Sequence, residues 1–250
     1  MKHTLAALII AAALTLGAAG LASAQSIQVK TTADGTSYLT DENGLTLYYF
    51  TLDTNGQSAC YGGCAKAWPI FYAPTITVPD SLDPKDFGTI TRTDNTKETT
   101  YKGWPLYYWV DDKNPGDLLG EGVHNVWYIL KVPPYTVMIG TNKAVGNYLT
   151  DGNGATLYYY TKDSAGTSAC SGDCLKAWPA FTTSSFVVPS ALDAADFNSI
   201  TRDDGTMQVT YKGYPLYYWV KDKKRGDITG QGVGKVWYVI DPAKFDPGKM

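Results

Sequence analysis

The stretch Gly44-Leu45-Thr46-Leu47-Tyr48-Tyr49-Phe50-Thr51-Leu52-Asp53 decides the fold. Its pattern, G-x-x-L-Y-Y-[FYW]-x-x-D, returns at 103–112, 154–163 and 213–222. In all four cases a Trp follows the Asp by 15 positions: Trp68, Trp127, Trp178 and Trp237. Aromatic side chains fit a pleated strand, and successive residues point to opposite faces. Leu47 and Tyr49 therefore share one face, and Tyr48 and Phe50 the other. Tyr107/Trp109, Tyr158/Tyr160 and Tyr217/Trp219 split in the same way. Large side chains on both faces mean a strand covered on both sides.

A longer repeat contains the shorter one. At an offset of 110 residues, 38–131 aligns with 148–241 without a gap, and 54 of the 94 positions are identical. Each copy opens on its own strand, at Ile27/Val29 and at Val137/Ile139, and the copies meet at the stiff segment Lys131-Val132-Pro133-Pro134. Asn43-Gly44, Asn153-Gly154 and Asp204-Gly205 are type I′ hairpin signals. Short helical turns are expected at 83–87 and 193–197, and no long segment has helical period. The expected fold is all-β: two tandem homologous domains, 25–132 and 135–242, each built from two strand–loop–Trp half-units, with a tail at 243–250. The equal Asp-to-Trp spacings also permit one four-unit, propeller-like domain. The Pro-Pro junction, and Cys in only the first half-unit of each copy, favour two domains.

The chain has 250 residues, with 21 Lys+Arg against 24 Asp+Glu. This mildly acidic balance lacks any basic block, so nothing would drive counterion release from nucleic acid. Residues 1–24 have the make-up of a secretory signal peptide: Lys2 and His3, then the apolar run 5–16, then Ala22-Ser23-Ala24 as a small-residue cleavage site before Gln25. Cleavage after Ala24 predicts a periplasmic or secreted protein that does not span a membrane.

An oxidising compartment makes disulfides the expected state of Cys60, Cys64, Cys170 and Cys174. Each copy must have folded before the duplication, which favours the local pairs Cys60–Cys64 and Cys170–Cys174. A ring this small gains only about 2 kcal/mol on the loop-entropy account. The main effect expected of each bridge is to shape the loop between Asp and Trp.

Candidate chemistry is sparse. Beyond the signal segment there is one histidine, His124, a surface loop residue whose repeat partner is Gly234. No repeated Ser-His-Asp or Cys-His set is possible, so no catalytic residue is assigned and the chain is read as not an enzyme. No cofactor is expected, because phosphate-loop and dinucleotide fingerprints are absent. The repeated Asp53, Asp112, Asp163 and Asp222 are read as acceptors of backbone amides in the loops they open. Asp112, Asp117, Asp222 and Asp227 are weak candidates for a hard cation, and Asp pairs for polysaccharide hydrolysis. The Trp and paired Tyr residues are read as core. Trp104 and Tyr214, which differ between copies, could bind a glycan, peptide or chain, with Lys102 and Lys212 adding a cation.

The motifs Tyr48-x-Phe50-x-x-Asp53, Tyr107-x-Trp109-x-x-Asp112, Tyr158-x-Tyr160-x-x-Asp163 and Tyr217-x-Trp219-x-x-Asp222 carry a resemblance. With T-Y-K-G-x-P-L-Y-Y-W, G-D-x-x-G-x-G-V and S-A-C-x-G-x-C-x-K-A-W-P, the chain resembles the bacterial and archaeal secreted repeat of unknown function, described as predicted lipoproteins with a Yx(FWY)xxD motif. The resemblance covers essentially all of the chain after residue 24. It brings no catalytic residues. No Cys lies near the cleavage site, a departure from the lipoprotein description. The function expected is an exported, non-enzymatic, disulfide-stabilised binding or interaction module for an envelope component, glycan or protein. The alternatives are a cation-binding envelope protein using the Asp/Gly loops and a polysaccharide hydrolase.

Overall fold

In the computed structural model, which describes residues 25–54 and 56–249, the motif strands pair across half-units. The signal segment expected at 1–24 lies outside the described residues. Tyr48–Phe50 runs antiparallel to Trp127–Ile129, with Tyr48 opposite Ile129 and Phe50 opposite Trp127. The other edge of Tyr48 bridges Tyr107, and Tyr107 in turn bridges Ile70. Each Trp-bearing return segment thus lies beside the motif strand of the sister half-unit. The second copy repeats this with Tyr158–Tyr160 against Trp237–Val239, and with bridges from Tyr217 to Tyr158 and Ala180.

The rest is small sheets, all antiparallel except the short parallel pair of Gln25–Ser26 with Ile76–Thr77. Gln28–Thr31 pairs with Ser37–Thr40, and Val137–Asn142 with Gly146–Asp151. Phe87–Thr91 pairs with Lys97–Tyr101, and Phe197–Thr201 with Met207–Tyr211. The fold is all-β, assembled from four repeated units. The half-units interlock two by two within each copy, and the sheets do not close into a barrel.

The two faces of the motif strand separate as its period requires. Leu47 and Tyr49 enter one apolar cluster, while Tyr48 and Phe50 enter a second with Trp68, Tyr107 and Trp127. Tyr158, Trp178, Tyr217 and Trp237 form the matching cluster of the second copy. The first cluster runs through both copies and includes Leu106, Val137, Ile139, Leu157, Val209 and Leu216. The copies are therefore held by a continuous core as well as by the linker. The Thr141 amide donates to the Thr51 carbonyl across them at 2.9 Å. The tail also packs, with the Phe245 ring against Tyr159, Tyr211 and Tyr214.

The turns at 83–87 and 193–197 are the 3₁₀ turns Pro84–Asp86 and Ala194–Asp196, capped by the Asp83 and Asp193 carboxylates. The Asn-Gly and Asp-Gly turns differ from expectation. Only Gly44, Gly154 and Gly205 have positive φ in those pairs, so they are not type I′. Asp41 Oδ1 accepts from the Asn43 and Leu45 amides instead, setting the turn through its side chain. Positive φ at both residues of a pair is found instead at Lys102-Gly103 and Lys212-Gly213, and also at His124-Asn125 and Gly234-Lys235. Gly63–Ala67 and Asp173–Ala177 form single helical turns that the sequence reading did not contain.

Candidate functional site

The motif Tyr and Asp residues meet across half-units, not within them. Tyr48 Oη donates to Asp112 Oδ2 at 2.7 Å, and Tyr107 Oη donates to Asp53 Oδ2 at 2.9 Å. The second copy repeats the exchange, Tyr158 to Asp222 at 2.6 Å and Tyr217 to Asp163 at 2.8 Å. The second carboxylate oxygen of each Asp ties its own loop. Asp53 Oδ1 accepts from the Ala59 amide at 2.7 Å and Asp112 Oδ1 from that of Leu119 at 3.0 Å. Asp163 and Asp222 do the same with Ala169 and Thr229. One side chain thus closes the loop it opens and clamps the neighbouring strand.

Burial drives the electrostatics. It raises the carboxyls of Asp53, Asp112 and Asp163 above the usual range, most strongly at Asp53, against the lowering effect of their hydrogen bonds. Burial also raises the phenols of Tyr48, Tyr107, Tyr158 and Tyr217, keeping them protonated as donors. Gly120 and Gly230 are required here. A Cβ at Gly120 would stand 2.8 Å from both Tyr48 and Trp68, and one at Gly230 would meet Tyr158 and Trp178 as closely.

Beside these bonds, four rings line up in a column. Phe50, Trp127, Trp68 and Trp109 follow one another with centroids 4.1, 3.8 and 4.3 Å apart. Tyr160, Trp237, Trp178 and Trp219 repeat the order at 4.3, 3.9 and 4.1 Å. The Trp that ends each half-unit is central and the motif aromatics are outermost, as expected for two half-units related by a pseudo-twofold. Both bridges form, Cys60–Cys64 and Cys170–Cys174. Each clamps the single helical turn that delivers Trp68 or Trp178, whose amide donates to the Cys64 or Cys174 carbonyl at 2.8 Å.

An arginine stands behind each bridge. Arg92 Nη1 donates to Ser58 Oγ at 2.6 Å and to Glu98 Oε2 at 2.8 Å, and Ser58 also meets Tyr107 Oη at 2.7 Å. Arg202 makes the same set with Ser168 at 2.7 Å, the Cys170 carbonyl and Gln208. Sequence reasoning missed this cluster, because Arg92 and Glu98 are ordinary strand and turn residues until the loop folds over them. Burial pushes the Glu98 carboxyl up to about 7, opposed by Arg92. A raised carboxyl is a signature of acid–base sites, but Glu98 is 0% and Asp53 2% exposed.

The remaining candidates are scattered. Trp104 is 2% exposed and lies beneath Arg225, whose guanidinium carbon is 3.8 Å from the ring centroid. Tyr214 is half-buried against Phe245. Lys102 occupies its tight turn and reaches Asp86 at 2.8 Å, and Lys212 reaches Asp196 at 3.9 Å. Asp117 Oδ2 accepts from the Lys113 and Asn114 amides, and Asp227 Oδ2 from those of Lys223 and Lys224. Among the described residues, no group of three or more His, Cys, Asp or Glu is placed to hold a metal ion. His124 is exposed in the 3₁₀ turn Val123–Asn125.

The class defined by this geometry is an all-β protein of paired, disulfide-bearing repeats. The family model of the secreted repeat of unknown function matches four segments, 28–71, 88–131, 141–182 and 198–241. Each segment contains one half-unit, and together they span well over half of the chain. The chain belongs to this family. No curated protein and no solved structure matches it. No helix among the described residues is long and apolar enough to cross a membrane.

Proposed function

We propose that the protein is an exported, non-enzymatic binding or interaction module of the cell envelope or the extracellular space. One observation carries this reading: all four motif Tyr–Asp pairs are consumed in reciprocal bonds between half-units. The repeated residues make a scaffold, so recognition falls to positions where the copies differ. Doubling a rigid scaffold suits multivalent attachment, in which a second contact multiplies the first. The buried, hydrogen-bonded carboxylates support a structural role for the Asp residues over acid–base work on a polysaccharide.

The test uses the disulfide-intact exported chain on a panel of envelope polysaccharides, with isolated envelope fractions in parallel. Retention without product is expected. Product formation that Asp53→Asn or Asp112→Asn abolishes, with the variant still melting cooperatively, would overturn the reading.

A further inference from the structure

The two copies differ most usefully at one place. In the first, the Tyr61 ring lies over the Arg92 guanidinium, its centroid 4.3 Å from Cζ. The Tyr61 hydroxyl accepts from the Thr93 amide at 3.2 Å. At the repeat offset these three residues become Ser171, Arg202 and Asp203. All three line a cavity of about 440 Å³, together with Ser168, Leu175 and Ile200. That volume falls in the range of small-molecule sites, roughly 300–1,000 Å³.

The walls are suited to a ring. Leu175 stands where the first copy has Ala65, adding apolar surface as Ser171 removes the phenol. Arg202 is pinned in place by Ser168, Gln208 and the Cys170 carbonyl, so its position does not depend on an occupant. Arg92 has Glu98 at 2.8 Å and Asp94 at 3.7 Å, whereas Arg202 forms no ion pair among the described residues. A guanidinium without a direct carboxylate partner, facing an open cavity, attracts the negative face of an aromatic ring.

We propose that this cavity binds a small free phenol, whose ring takes the place held by Tyr61 in the first copy. The ring stacks on Arg202 and packs against Leu175, and the oxygen accepts from the Asp203 amide. Tyr61 is the internal template for this pose. The proposal deepens the binding-module reading and rests on it.

The probe is p-cresol, the tyrosine side chain as a free molecule, titrated into the disulfide-intact chain by calorimetry and saturation-transfer NMR. One site per chain is expected. Ser171→Tyr, which installs a residue the first copy already accommodates, should abolish it. Tyr61→Ser should open the first copy and raise the count to two. Toluene, lacking the hydroxyl, should bind at least several-fold more weakly.

No saturable binding of p-cresol, or one site surviving in Ser171→Tyr, would overturn the proposal. Binding of the tripeptide Gly-Tyr-Gly without p-cresol would overturn its assignment to free phenols. Lost p-cresol binding with envelope retention intact would sink the cavity alone. Conversion of bound p-cresol to product would keep the cavity and sink the non-enzymatic reading.

Discussion

Tyr48 and Asp112, 64 residues apart and in different half-units, are joined by a 2.7 Å hydrogen bond, and Tyr107 returns the bond to Asp53 at 2.9 Å. Each motif is therefore completed by its sister. A lone half-unit would leave its motif carboxylate and phenol without these partners, and a buried polar group left unpaired costs more than the paired bond gains. Its Trp would also lose half of the ring column. Both penalties explain why half-units occur in pairs.

Arg225 pins the copies together. It lies over Trp104 and donates to the Lys102 and Asn153 carbonyls at 2.9 Å each. Its repeat partner is Pro115, so only the second copy can supply this contact. Arg225→Ala should lower the unfolding free energy by about 2 kcal/mol in urea titrations, through lost charged hydrogen bonds and stacking. Arg225→Lys should recover little of it, lacking the planar fork. Full recovery by Lys would contradict the account.

Glu98 gives the first copy a pH dependence that the second lacks. Gln208 Nε2 donates to the Leu216 carbonyl at 2.8 Å, whereas Glu98 Oε1 has no partner. Burial raises Glu98 from 4.5 to about 7 in the folded chain. Between these values the native state holds a proton that the unfolded state has released. Stability contributed by Glu98 is thus complete below pH 4.5 and falls as pH rises through about 7, by on the order of 3 kcal/mol. Glu98→Gln should match the wild type near pH 4 and exceed it at pH 8. Parallel pH profiles for the two proteins would refute this.

The disulfides join residues only four apart. Reduction should cost no more than about 2 kcal/mol per bridge, and slowly, because Cys60 and Cys170 are 0% exposed. Far-UV circular dichroism should persist in reductant while the urea midpoint falls. Collapse of the spectrum would show that the bridges hold the fold rather than shape a loop.

Much of the architecture was legible from pattern alone. The period of two in Leu47 to Phe50 separates the two clusters, the repeat offset marks the copies, and the loop Cys pair with each other. What escaped depends on contacts distant in sequence. Four equivalent Asp and four equivalent Tyr carry no label for which meets which, so the exchange between half-units was invisible. Asn43-Gly44 misled because Asp41 offered the turn a side-chain acceptor, and Lys102-Gly103 was passed over because Lys seldom adopts positive φ. Trp104 and Tyr61 both differ between copies, and burial alone distinguishes the covered ring from the one whose loss opens a cavity.

The central claim is that the Tyr–Asp motif is a clasp between half-units. A double-mutant cycle of Tyr48→Phe and Asp112→Asn, read by urea unfolding of the disulfide-intact chain, tests it most directly. Mutual dependence predicts a coupling energy of about 1–3 kcal/mol, with the double variant less destabilised than the sum of the single ones. Additive losses would mean that the two residues act separately, and the clasp would be wrong.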